Sequence, residues 1–267
     1  MVSLKDARYQ VLKNLFGPLV AEVACPTELV GEANIPARGP GLLVCNHRSL
    51  MDPYLFSARA RRVVNWVMAP FVSSIPVFGW LAQEAGAISI LKGEEGKADT
   101  LIEEMVQVFR QGRLVGIFPE GMANFVQPVG PAEVATFRPT FIRAVLAARI
   151  PHLPIIPAAI YPRRETSLGE VSGAFLQQFD RGERSFKLER MRLLGYQEAL
   201  ILVGRPLTLD AYYDYYQHGL GRDEPEAQRV MIESLAAKVR GHVVQLLDRA
   251  ALLEAPIGPE AIAPPPA

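Results

Sequence analysis

Cysteine is scarce in this chain: two residues, Cys25 and Cys45, among 267. Both sit beside apolar neighbours. So few exclude a disulfide framework and suggest a reducing compartment, although one Cys25–Cys45 bridge stays open on sequence alone. An excess of one charge is also missing, since Lys+Arg and Asp+Glu number 28 each. That balance argues against a nucleic-acid binder, which needs a strong basic surplus. The four histidines, His47, His152, His218 and His242, show no ligand-type spacing, so no metal site is expected. No stretch reaches the ~18–20 apolar residues needed to cross a bilayer. The first residues show no basic head followed by an apolar run and a cleavage site, so no secretory signal is expected. Any membrane contact is therefore expected from one side.

What is present is an apolar chain, 49% hydrophobic, punctuated by Gly and Pro. Strand-like runs at 27–31, 41–45, 63–68, 85–90, 114–118, 155–161 and 199–204 alternate with helical patterns at 53–64, from Thr100 to Gly112, at 139–149 and at 224–253. Thr100 and Glu103 suggest a capping box, and Gly112 a stop. The alternation predicts a single α/β domain over 25–254, its mostly parallel central sheet flanked by helices. Residues 3–23 carry Leu4, Val11, Leu12, Leu15, Phe16 and Leu19 on one stripe, with Lys5, Arg8 and Lys13 nearer the other side. This N-terminal segment, 1–24, reads as an amphipathic helix that either packs on the domain or lies on a membrane surface. The Pro/Ala-rich end, 255–267, reads as a disordered tail.

Two strand ends carry chemistry. GLLVCNHRSLMDPYLF (41–56) runs from an apolar strand into a turn with His47, and Asp52 follows five positions later as a helix begins. Reactive groups gather at the carboxyl ends of strands in α/β sheets. A carboxylate on the far ring nitrogen of a histidine fixes its tautomer and stabilises the imidazolium. The alternative is purely local: Ser49 as a helix cap with Asp52 closing a box, and Pro53 inside the start. The second end is GIFPEGMA (116–123), where Gly121 permits a turn with positive φ and Glu120 stands at the same edge if the strands are parallel. Glu120 also reads as an ordinary turn acid.

Taken together these stretches resemble the glycerolphosphate and lysophosphatidic acid acyltransferase family. The likeness rests on Asn46-His47-x4-Asp52, on Gly86-x-Ile88-x-Ile90 followed by Lys92, and on Phe118-Pro119-Glu120-Gly121. IleProValPheGlyTrp (75–80) and LeuProIleIleProAlaAlaIle (153–160) add to it, over about residues 27–205. The resemblance implies a fatty acyl transfer from acyl-CoA or acyl-carrier protein to a hydroxyl of a lysophospholipid, with no further cofactor. It implies His47 as general base and Asp52 as its orienting partner. It further implies Asn46, Lys92, Pro119, Glu120, Gly121 and Arg138 as substrate-binding residues, with Lys92 and Arg138 as anion contacts. The place of action implied is the cytoplasmic face of a membrane, peripheral or monotopic.

The chain departs from the family where Thr-Arg-Ser usually follows the glycine: here stand Met122, Ala123 and Asn124. Thr140 also stands where glycine is usual after Arg138. A phosphate-binding arginine is missing, while Met122 and Phe125 make the turn more apolar, which suits an acceptor that already bears one acyl chain. The leading expectation is 1-acylglycerol 3-phosphate as acceptor, giving phosphatidic acid. Glycerol 3-phosphate, a non-phosphate lyso-lipid such as a lyso-aminolipid, or a non-catalytic acyl-lipid-binding role are the alternatives. Residues 163–192 interleave Arg163, Arg164, Arg181, Arg184, Lys187, Arg190 and Arg192 with acids, which reads as a mixed solvated surface or as a patch for anionic headgroups or acyl-carrier protein.

Overall fold

The structure is a computed structural model that describes residues 25–69, 86–89, 97–127, 129–173, 190–218 and 225–254. The N-terminal segment, the IleProValPheGlyTrp stretch, Lys92 and the C-terminal tail lie outside them. Strands β1 (Thr27–Val30), β2 (Gly41–Cys45), β3 (Val64–Met68), β4 (Ile88–Ser89), β5 (Leu114–Ile117), β6 (Ile155–Ser172) and β7 (Arg190–Val203) form one sheet. Their order is β1-β7-β6-β2-β5-β3-β4. Strands β6, β2, β5, β3 and β4 run parallel to one another; β7 is antiparallel to β6, and β1 runs with β7. The sheet is thus mostly parallel, as the alternation of elements predicts.

Helices cover both faces: α1 (Asp52–Arg59), α2 (Lys97–Arg110), α3 (Ala123–Val126), α4 (Thr140–Ala148), α5 (Tyr213–His218) and α6 (Pro225–Glu254). The pleat of β2 divides the core. Leu42 and Val44 join Met105, Phe109, Phe141 and Leu235 from α2, α4 and α6. Leu43 and Cys45 join Leu55 and Phe56 of α1 on the other face. Burying such side chains contributes about 1.5–3 kcal/mol each, and β2 is buried along its whole length.

Three expectations need correction. Helix α2 starts at Lys97, so Thr100 lies inside it rather than at a cap; Asp99 in the first turn complements the helix dipole instead. Helix α1 ends at Arg59, because Ala60 is already extended. The strand expected at 155–161 continues to Ser172 and pairs with a β7 that begins at Arg190. Beyond Tyr161 this ribbon leaves most of its residues at least partly open to water, so its charged alternation reads locally as loop. The basic side chains described there are largely neutralised: Arg163 pairs with Glu28, Glu198 and Glu254, Arg164 with Glu198, and Arg190 and Arg192 with Glu170.

Candidate active site

Strands β2 and β5 are parallel neighbours in register, Val44 opposite Ile117. Their turns therefore emerge at one edge. From β2 the chain passes over one face through α1 to β3, and from β5 it passes over the other through α4 to β6. That divergence is the switch point at which open α/β sheets leave a crevice for ligands.

At the mouth of β2, Asn46 is fully buried. Its Nδ2 donates to Ile160 O at 3.0 Å and its Oδ1 accepts Ile160 N–H at 2.8 Å. The amide thus acts as one more rung between β2 and β6. It does not reach the cleft, and the substrate contact expected of Asn46 gives way to a sheet-fastening one.

The next residue turns outward. His47 Nδ1 lies 2.8 Å from Asp52 Oδ2. Oδ2 also accepts the backbone N–H groups of Arg48 at 2.8 Å and Ser49 at 3.0 Å. Asp52 thus ties down the turn that precedes α1 and faces the imidazole; the helix cap expected at Ser49 does not form, because Met51 takes the N-cap position and the Ser49 hydroxyl donates to Leu194 O instead. Asp52 is 0% exposed, and the other oxygen, Oδ1, accepts the Tyr196 hydroxyl at 2.7 Å. The His47 side chain keeps 13% exposure, and Nε2 has no protein partner among the described residues. Its ring stacks on Phe118 at 4.3 Å and meets the edge of Phe125 at 4.8 Å. Phe118 stacks in turn on Trp66 at 4.6 Å. These contacts favour one ring orientation.

Glu120 comes to the same edge, as parallel strands require, but it points inward. It is 2% exposed. Oε1 accepts His47 N–H at 2.8 Å; Oε2 accepts Asn124 Nδ2–H and Ala135 N–H, both at 2.6 Å. Asn124 Nδ2 also reaches His47 O at 2.9 Å. Burial pushes the Glu120 carboxyl above its ordinary range, and these hydrogen bonds pull part of the way back. With both oxygens occupied, Glu120 holds the histidine turn from behind, and the acceptor contact implied for it is replaced by this role.

A cleft of about 340 Å³ opens in front of His47. Trp66, Met68, Leu101, Ile117, Phe118 and Met122 make its walls largely apolar. Pro119, Gly121 and Arg138 line it too, so these three expected residues do face the candidate site. Gly121 takes φ +60°, and its missing side chain leaves room for the Arg138 guanidinium, whose Cζ would lie 3.3 Å from an added Cβ. Arg138 N–H donates to Pro119 O at 3.0 Å, which fixes it beside the Pro-Glu-Gly turn. Among the described lining residues Arg138 is the one Lys or Arg. Burial raises the Tyr54 phenol, on the same wall, to about 12, so it stays neutral.

The Acyltransferase family model matches residues 27–161, just over half of the chain, and so takes in both turns. The chain belongs to that family. Over 142 residues, 53% of its length, it is 30% identical to the lyso-ornithine lipid O-acyltransferase of Pseudomonas aeruginosa. It is 23% identical over 112 residues to a chloroplastic 1-acyl-sn-glycerol-3-phosphate acyltransferase of Brassica napus. These matches span 50% and 32% of the two relatives' own lengths. In fold the acyltransferase chain is similar to the 1-acyl-sn-glycerophosphate acyltransferase of Thermotoga maritima, with a TM-score of 0.57 at 17% identity, over 97% of this chain and 86% of that one.

Three further residues around the candidate site carry little or no signal in the sequence. Arg48 is 4% exposed, and its guanidinium reaches Val129 O, Gly130 O and Glu165. A charge held inside a turn between His47 and Asp52 is the one hint. Asn124 stands four residues after Glu120 at the start of a helical turn, a spacing that brings side chains together. Tyr196 is 144 residues from Asp52, beyond any local pattern.

Proposed function

We propose that this protein is an O-acyltransferase that moves a fatty acyl group from an acyl thioester to a hydroxyl of a lyso-lipid. The observation that carries the reading is the 2.8 Å His47–Asp52 contact at the rim of an apolar cleft, with Nε2 left for a substrate. In this scheme Nε2 takes the proton of the acceptor hydroxyl as its oxygen bonds to the thioester carbon. Asp52 steadies the imidazolium. The tetrahedral adduct collapses to an ester, and the departing sulfur takes the proton back from His47, releasing a thiol. Base assistance of this kind is worth ~10²–10⁴ in rate. The apolar walls suit the acyl chains, and acyl-CoA or acyl-carrier protein is the donor.

The acceptor that heads this reading is 1-acylglycerol 3-phosphate, its anionic group set against Arg138. A lyso-ornithine-type acceptor is the second reading. Met122-Ala123 where the family has Thr-Arg favours it, as does the named activity of the P. aeruginosa relative. We place the enzyme on the cytoplasmic face of a membrane, peripheral or monotopic, in contact with it from one side. In support, no helix among the described residues is long and apolar enough to cross a bilayer, and Cys25 and Cys45 are free thiols. Mass spectrometry of products formed from acyl-CoA and acyl-carrier protein with lysophosphatidic acid, glycerol 3-phosphate and lyso-ornithine lipid tests this. Phosphatidic acid as the main product supports the first reading and ornithine lipid the second. No acylated product from any pair would overturn both.

A further inference from the structure

The β6–β7 ribbon touches the His47–Asp52 turn at three adjoining points. Ser49 Oγ donates to Leu194 O at 2.6 Å. Arg48 reaches Glu165, with its nearer oxygen at 3.1 Å. Tyr196, opposite Glu165 in the register, donates its hydroxyl to Asp52 Oδ1 at 2.7 Å. Only the third contact reaches the carboxylate itself. The two oxygens of Asp52 are unequally supplied: Oδ2 faces His47 Nδ1 and two backbone N–H groups, whereas Tyr196 is the partner of Oδ1 among the described residues. Tyr196 is 6% exposed and Asp52 0%, so water does not take over if the phenol is removed.

We propose that Tyr196 is a positioning residue, whose hydroxyl pins the Asp52 carboxylate and sets how strongly it draws the proton on His47. The inference rests on the reading of His47 as the base. A donor on Oδ1 spreads the carboxylate charge and stops rotation of the group away from the imidazole. Without it, more negative charge is left for the imidazolium, which becomes harder to deprotonate. The other charged or titratable groups around the pair are Glu120 behind the His47 backbone, Arg48 and Glu165 beside Tyr196, Cys45 beneath, and Arg138 and Tyr54 across the cleft. None of them donates to Oδ1, and all remain in place when the phenol oxygen alone is deleted.

The test uses the full chain as Tyr196→Phe and as Tyr196→3-fluorotyrosine, which packs alike but donates more strongly. The pH profile of kcat/KM and the NMR titration of the His47 ring are both read. Tyr196→Phe is expected to move the acid limb and the ring titration up by roughly half to one pH unit. It is expected to lower kcat by roughly three- to tenfold, with the acceptor KM within about twofold of the parent. The fluorinated residue is expected to shift both titrations the opposite way, and it decides the matter if the Phe variant does not fold. Titrations that coincide with the parent's, or move in the reverse sense, would overturn the inference even if stability fell. The NMR titration needs no turnover, so it still reports on Tyr196 if the protein acylates none of the acceptors offered and the functional reading fails.

Discussion

Oε1 of Glu120 accepts the backbone N–H of His47 at 2.8 Å, so the carboxylate of one turn holds the main chain of the other. The two strand ends are thereby fixed to each other through an inward-facing acid, and the imidazole is left to face the cleft. Glu120→Gln puts an amide NH₂ where an acceptor is needed. It is expected to destabilise the fold by about 1–3 kcal/mol and to lower kcat through a looser His47 turn. Urea unfolding together with kcat measures both.

The same residue carries a pH dependence whose sign is fixed. Burial raises the folded-state carboxyl above its ordinary 4.5, so the native state binds the proton more tightly than the unfolded chain. The contribution of Glu120 is fully present below that ordinary value and is lost as pH rises through the raised one. The stability difference between parent and Glu120→Gln is therefore expected to narrow as pH climbs above 4.5. A difference that widened over the same range would contradict the burial argument.

Asp52→Asn keeps the shape of the side chain and removes its charge. The amide oxygen can still accept the Arg48 and Ser49 N–H groups, so the turn is expected to persist. The imidazolium loses its counter-charge, and kcat is expected to fall by ~10²–10⁴ while KM stays within a few-fold. A fall in KM-side binding with kcat intact would assign Asp52 to the turn alone.

Gly121 and Gly116 test different parts of the site. At Gly121, alanine meets both the left-handed φ of +60° and the Arg138 guanidinium. A loss of about 1–2 kcal/mol in stability is expected, with a rise in KM for anionic acceptors that exceeds the loss in kcat. In β5, Gly116 leaves space for Trp66, because an added Cβ would sit 2.5 Å from its ring. Gly116→Ala is expected to cost about 1–3 kcal/mol by overpacking. It should also disturb the Trp66–Phe118–His47 stack, so near-ultraviolet circular dichroism is expected to change along with the melting temperature.

The parts of the structure legible in the sequence are those whose cause is local. β2 and β5 announce themselves as apolar runs ending at Asn46 and Pro119, and His47 finds Asp52 because five residues across a helix start bring them together. The β6–β7 ribbon was not legible beyond Tyr161, since charged residues on a two-sided, solvent-facing ladder look the same as a loop. The roles of Asn46 and Glu120 were not legible either. Adjacency to His47 says nothing about which way a side chain turns: Asn46 turns into the sheet, and Glu120 turns inward against the back of the His47 turn. Tyr196 meets Asp52 only because β7 reverses direction beside β6, which no short window of residues encodes.

The most direct measurement is acyl transfer by His47→Ala, with the fatty ester identified by mass and its rate compared with the parent's at equal amounts of folded protein. The account predicts a loss of ~10²–10⁴ in kcat, with donor and acceptor still binding and the melting curve little changed. A variant that forms the same ester at the parent's rate would contradict it, because the cleft would then be working without the one ring nitrogen it leaves free.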